Sequence, residues 1–179
     1  LKGEPGLMVI TVYFFFSMLV GSGASALWLP FFRGEPSLGL NAYVLVMAAN
    51  VAGRFVGGIL RDLKEYTKVG TNLLEIDEFV HKRIVDRKGA SSCYVDYAPD
   101  FGTGPFAHYI CTSVNDAVLH GVPYDYSLKD GDLVSLDLAI SVDGWVADSA
   151  VSFVVGKDPD PEDLRIIKCT EEALAAAID

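Results

Sequence analysis

An α+β fold, an antiparallel sheet with flanking helices, is predicted by three features of this 179-residue chain. Residues 55–66 and 73–88 read as helices, with Gly70 and Gly89 punctuating their ends. Residues 134–142 alternate strictly between apolar and polar, as a half-buried strand does. Asp143-Gly144 then stands where a two-residue hairpin turn belongs.

The elements follow in order. No charged residue lies between Glu4 and Arg33, and residues 7–29 are long enough to cross a bilayer, which takes about 20 mostly apolar residues. A weaker apolar stretch, residues 38–53, continues into residues 55–60 across Arg54. Its small residues suit close packing of transmembrane helices, and the front end, residues 1–46, resembles a helix pair of a major-facilitator transporter. A signal peptide fits less well, because the apolar region is too long and Lys2 is the only basic residue before it. A buried soluble helix is the other alternative. Arg54, Arg61, Lys64 and Lys68 follow the apolar region and would place what comes after on the cytoplasmic side.

Residues 110–123 are expected to form two short apolar strands around an Asn115-Asp116 turn, with His120 closing the second at a sheet edge. On its own such a histidine is better explained by a structural bond to a backbone carbonyl than by catalysis.

In the next strand Val134, Leu136, Leu138, Ile140 and Val142 point one way, and Ser135, Asp137, Ala139 and Ser141 the other. A two-residue turn pairs Val142 with Trp145, Ala139 with Asp148 and Asp137 with Ala150. Asp137 and Asp148 then become diagonal neighbours on one face, with backbones roughly 7–8 Å apart. Neither strand carries Lys or Arg. Two adjacent carboxylates repel unless one is protonated or a cation screens them, and a hard divalent cation is the natural candidate. A three-residue loop would instead slip the register and send the acids to opposite faces.

The chain closes on a helix with Asp160 as N-cap and Pro161 at its first position. Leu164, Ile167, Leu174 and Ile178 share one side of it, and Glu162, Glu171 and Glu172 form a solvated face.

The motifs Cys111-Thr-Ser-Val-Asn-Asp, Leu119-His-Gly-Val-Pro, Leu128-Lys-Asp-Gly-Asp and the acids Asp137 and Asp148, followed by Val154-Val-Gly156, together resemble the type I methionine aminopeptidases of the pita-bread metallopeptidase superfamily. The likeness extends back through Gly53-Arg54, Val69-Gly70-Thr71, Glu75-Ile-Asp77 and Gly89-Ala90, so it covers residues 47–179. It implies the first half of a pita-bread (creatinase/aminopeptidase) fold; the apolar helices of residues 1–46 precede it and are not a usual part of that family.

The resemblance also implies roles. Asp137 and Asp148 match two metal ligands, and His120 matches the histidine that contacts substrate near the scissile amide. Tyr97, Phe106 and Cys111 match the aromatic and cysteine wall of the methionine side-chain pocket. Tyr97 precedes residues 98–105, a segment longer than the family's loop, and its alternative is an ordinary buried tyrosine. The implied cofactors are divalent metal ions, two per complete site, of Co, Mn, Fe or Zn. The implied reaction removes the N-terminal methionine of peptides and nascent proteins, with cation-activated water attacking the first peptide carbonyl. The family's remaining ligands are one histidine and two glutamates, and no histidine follows Asp148. The chain is therefore expected to be an incomplete piece with little or no peptidase activity.

Residues 1–46 hold two acidic and two basic residues, so the net charge of −10 falls on the remainder. Such acidity argues against nucleic acid as a partner and fits a cytoplasmic domain. Membrane association through residues 7–60 follows if the front end is a genuine part of the protein rather than a misjoined sequence. Cys93, Cys111 and Cys169 lack metal-finger spacing and imply free thiols in a reducing compartment, with Cys93 and Cys169 expected in the core. Two other classes stay open: a noncatalytic adaptor on the same fold, and a transporter fragment misjoined to an aminopeptidase.

Overall fold

The computed structural model describes residues 39–98, 102 and 104–178. Helix α1 spans Gly39–Tyr66 and α2 spans Leu73–Val85. Strands β1 (Ala90–Ser92), β2 (Cys111–Val114), β3 (Leu133–Val142) and β4 (Trp145–Val154) follow, then helix α3 (Pro161–Ile178).

α1 is longer than its predicted span and runs without a break through residues 46 and 47. Ala52, Val56, Ile59, Leu60 and Leu63 recur at helical spacing and are buried, and the helix lies across β3 and β4. The apolar run at residues 55–60 is therefore explained by one buried stripe of a helix that packs on the sheet. Among the described residues no helix is long and apolar enough to cross a membrane. The stronger stretch, residues 7–29, lies outside the described residues.

α2 begins in a capping box: the Asn72 side chain accepts from the backbone of the first turn, and Glu75 accepts from the Asn72 N–H at 3.1 Å. Leu73, Ile76, Val80 and Ile84 are its buried face. It ends at Val85, three residues before the predicted limit, because Asp86 caps it and Gly89, at φ 83°, turns the chain into β1.

β3 is the centre of the sheet. β4 pairs along its full length on one side, while β1 (opposite 140–142) and β2 (opposite 134–137) lie in line along the other. All pairings are antiparallel, as predicted, and the register has Val142 opposite Trp145, Ala139 opposite Asp148 and Asp137 opposite Ala150. The turn sits against Gly89, whose carbonyl accepts the Asp143 N–H at 2.8 Å. Val134, Leu136, Leu138, Ile140 and Val142 are buried beneath the helices, so the predicted alternation holds.

The second strand expected after Asn115 is absent. Asn115 does turn the chain, at φ 52°, but residues 117–120 return as irregular backbone. Val118 and Leu119 are exposed, so this apolar run has no core to face, and His120 at φ 52° interrupts an extended conformation. α3 starts as predicted, with the Asp160 carboxylate accepting the Glu162 N–H at 2.8 Å. Its Leu164, Ile166 and Leu174 are exposed, as is Cys169, which is not a core residue. All three cysteines are free thiols.

Candidate metal centre

The face of the sheet away from α1 and α2 carries the acid pair. Asp137 projects from the middle of β3, and Asp148 from β4 beside it, because each register position alternates faces and the Asp143-Gly144 turn fixes the offset at one diagonal step. Ser135 and Ser152 share a hydroxyl contact of 2.7 Å on the same face. Neither strand contains a basic residue.

The electrostatics follow from this uncompensated charge. Burial raises the Asp148 carboxyl above its ordinary range, and the charge of Asp137 with a hydrogen bond between the two carboxyls raises it further, while His120 pulls it down. His120 lies in the irregular segment that follows β2. The histidine is held there by Gly121, whose carbonyl accepts the Thr112 N–H at 2.7 Å and whose N–H donates to Ser113 Oγ at 3.1 Å. A Cβ on Gly121 would stand 2.3 Å from the Thr112 carbonyl oxygen.

Cys111 lies opposite Asp137 in the β2–β3 ladder. Burial pushes its thiol up to about 12, with Asp137 and Asp148 adding to the effect. Burial, then Asp148, raises the Cys93 thiol as well, so both sulfurs stay protonated beside the acids. Phe106 is half-buried and meets the Tyr94 ring edge-on at 5.9 Å. Tyr94 is the aromatic at the acids: its hydroxyl donates to Asp137 Oδ1 at 3.3 Å, and burial followed by the two carboxylates raises its phenol. Tyr97 is 58% exposed in the following turn, so it is not a buried tyrosine, and its carbonyl accepts the Phe106 N–H at 2.9 Å. Sequence reasoning missed Tyr94; its only signal was its place one residue after Cys93, in the segment that leaves β1.

The donor set fits a divalent cation in part. Two hard carboxylate ligands share a face with nothing basic to neutralise them, yet among the described residues no group of three or more His, Cys, Asp and Glu side chains is arranged to hold a metal. Two other acids of the motifs, Asp132 and Asp130, have structural partners. Asp132 accepts from Asn115, from Tyr126 and from the Lys129 N–H, and Asp130 accepts from the Lys157 N–H at 2.7 Å.

Residues 48–179 match metallopeptidase family M24. A methionine aminopeptidase of Aquifex aeolicus is 32% identical over 129 residues, which are 72% of this chain and 49% of that protein. Methionine aminopeptidase 1 of Bacillus subtilis is 34% identical over 69% of this chain and 46% of its own length. The chain spans about half the length of these curated relatives. Among solved structures, a methionine aminopeptidase from Rickettsia prowazekii superposes with a TM-score of 0.65 at 28% identity, covering 72% of this chain and 49% of that one. The prolidase from Pyrococcus horikoshii, at 20% identity and a TM-score of 0.57, shares the pita-bread fold.

Proposed function

From the premise that the chain belongs to metallopeptidase family M24, a family that works with divalent metal ions, we propose that it is part of a methionine aminopeptidase, with Asp137 and Asp148 as cation ligands. One observation carries this reading: the β3–β4 register sets two carboxylates diagonally on an open sheet face with no basic partner in either strand.

The residues divide the work. Asp137 and Asp148 would supply oxygen ligands, and a bound cation would relieve their mutual repulsion. The cation, when bound, lowers the pKa of a water and polarises the scissile carbonyl. The metal is one of Co, Mn, Fe or Zn, two ions to a complete site, since mixed oxygen and imidazole ligation suits each of them. His120, exposed and held at φ 52°, is the imidazole assigned to hydrogen-bond a substrate amide. Phe106 and Cys111, with Tyr97 or Tyr94, give an apolar, soft-walled pocket for a thioether side chain at a peptide N-terminus. The domain is placed at residues 47–179. A cytoplasmic site of action is supported by its acidity and free thiols.

Among the described residues two carboxylates alone make a weak site. Calorimetric titration of the chain with Mn²⁺ tests this. Weak saturable binding that disappears in both Asp137→Asn and Asp148→Asn is expected, together with no release of methionine from a methionyl peptide. Binding unaffected by either substitution overturns the ligand assignment, and turnover dependent on both acids overturns the claim that the site is incomplete.

A further inference from the structure

Between α2 and the acid face the chain passes through residues 106–109, in a conformation that L-residues adopt only under constraint. Ala107 has φ 62°. On one side of it the Phe106 N–H donates to the Tyr97 carbonyl at 2.9 Å and the Ala107 N–H to the Val95 carbonyl at 3.1 Å. On the other side stands Asp77 of α2. Its Oδ1 accepts the Tyr109 N–H at 2.7 Å, and its Oδ2 accepts from His108 Nδ1 at 2.8 Å. Because a carboxylate only accepts, Nδ1 carries the proton. The two side chains are 14% and 24% exposed, so this contact is shielded from water. One turn along α2, His81 stacks on Tyr109 with ring centroids 4.3 Å apart, fixing the same segment to the same helix.

The contacts continue to the site. The His108 ring meets Phe106 edge-on at 6.0 Å, Phe106 meets Tyr94 at 5.9 Å, and the Tyr94 hydroxyl donates to Asp137 at 3.3 Å. None of the intermediate groups is charged, so the series acts by shape: if His108 loses its anchor, Ala107 can relax from positive φ, Phe106 swings with it, and Tyr94 loses the surface that holds its hydroxyl on the carboxylate.

We infer that Asp77 and His108 are positioning residues, a clamp from α2 that sets the Phe106–Tyr94 aromatic wall and through it the orientation of Asp137. This deepens the proposed function and rests on it for the meaning of Asp137 as a ligand.

The full chain labelled with 3-fluorotyrosine gives the test. Its Tyr94 ¹⁹F resonance is identified by its loss in Tyr94→Phe. In His108→Ala this resonance is expected to move by more than its linewidth. In His108→Asn, whose amide N–H can donate where Nδ1 does, it is expected to return to the wild-type position. His108→Phe keeps the ring and removes the donor; it should behave like His108→Ala, and serves if the alanine variant does not fold. An unmoved signal in a folded alanine or phenylalanine variant, or failure of asparagine to restore it, overturns the clamp. A merely stabilising role would lower the melting temperature and leave the Tyr94 signal of the folded protein in place. Added Mn²⁺ should broaden the wild-type Tyr94 signal. If it does not, the cation reading of Asp137 fails, while the metal-free spectra still decide the clamp.

Discussion

Single residues of this chain separate into those that hold the backbone and those left with unsatisfied charge, and Asp132 shows the first kind. Burial raises its carboxyl, but the Asn115 amide, the Lys129 N–H and the Tyr126 hydroxyl outweigh that and leave it below the ordinary range. A carboxyl lowered on folding stabilises the protein above its unfolded pKa, and that contribution is lost as pH falls through the folded value. Asp132→Asn should therefore cost roughly 1–3 kcal/mol near neutrality, the penalty for breaking a buried hydrogen-bond set. It should also flatten the acid limb of a plot of melting temperature against pH. Parallel acid limbs for the two proteins would refute the assignment. Asp148 is the opposite case, since burial and then the neighbouring Asp137 disfavour its charge. The two kinds were partly legible in the sequence. The acid pair could be read because both residues lie within one hairpin, where period-two geometry fixes their relation. Tyr94, Asp77 and His108 could not, because the loop and helix that bring them together are joined by no periodicity.

Elements were legible where a local rule and the core agreed. The β3–β4 hairpin combines strict alternation with an Asp-Gly turn, and its register came out as predicted at every one of the positions named. The failure at residues 117–120 has a physical cause: apolar residues suggested a strand, but Val118 is 88% exposed, and the segment is positioned instead by Gly121. That glycine and Gly144 are needed for different reasons, which substitution can separate. A Cβ on Gly121 would meet the Thr112 carbonyl oxygen at 2.3 Å and Ser113 Cα at 2.9 Å, all backbone that cannot step aside. At Gly144 the obstacle is φ 86°, with nothing within 4 Å of an added Cβ. Gly121→Ala should cost about 1–3 kcal/mol in urea denaturation, as overpacking does. Gly144→Asn should cost less, because asparagine tolerates positive φ. Equal midpoints for the two variants would mean that the loop carrying His120 is not pinned to β2.

At the scale of the whole molecule, helices cover one face of the sheet and, among the described residues, leave the acid face open, and the chain carries a net charge of −10. The ion pairs do little to offset it. Arg83–Asp62, Arg165–Glu162, Lys82–Glu78 and Lys168–Glu172 all have at least one partner well exposed to solvent. Such pairs contribute about 0–1 kcal/mol each and are weakened by salt. Self-repulsion acts over longer distances, and salt weakens it too: at about 1 M the Debye length falls to about 3 Å. The two effects oppose one another, and the imbalance of 24 acidic to 14 basic residues decides the sign. Raising KCl from low concentration to about 1 M should raise the melting temperature, most steeply below about 0.1 M, where screening changes fastest with distance. In Asp148→Asn the rise should be smaller, because one of the two like charges on the open face is already gone. A melting temperature that falls with KCl would mean that the exposed pairs outweigh the net charge, and an equal rise in Asp148→Asn would mean that the acid pair contributes nothing to the repulsion.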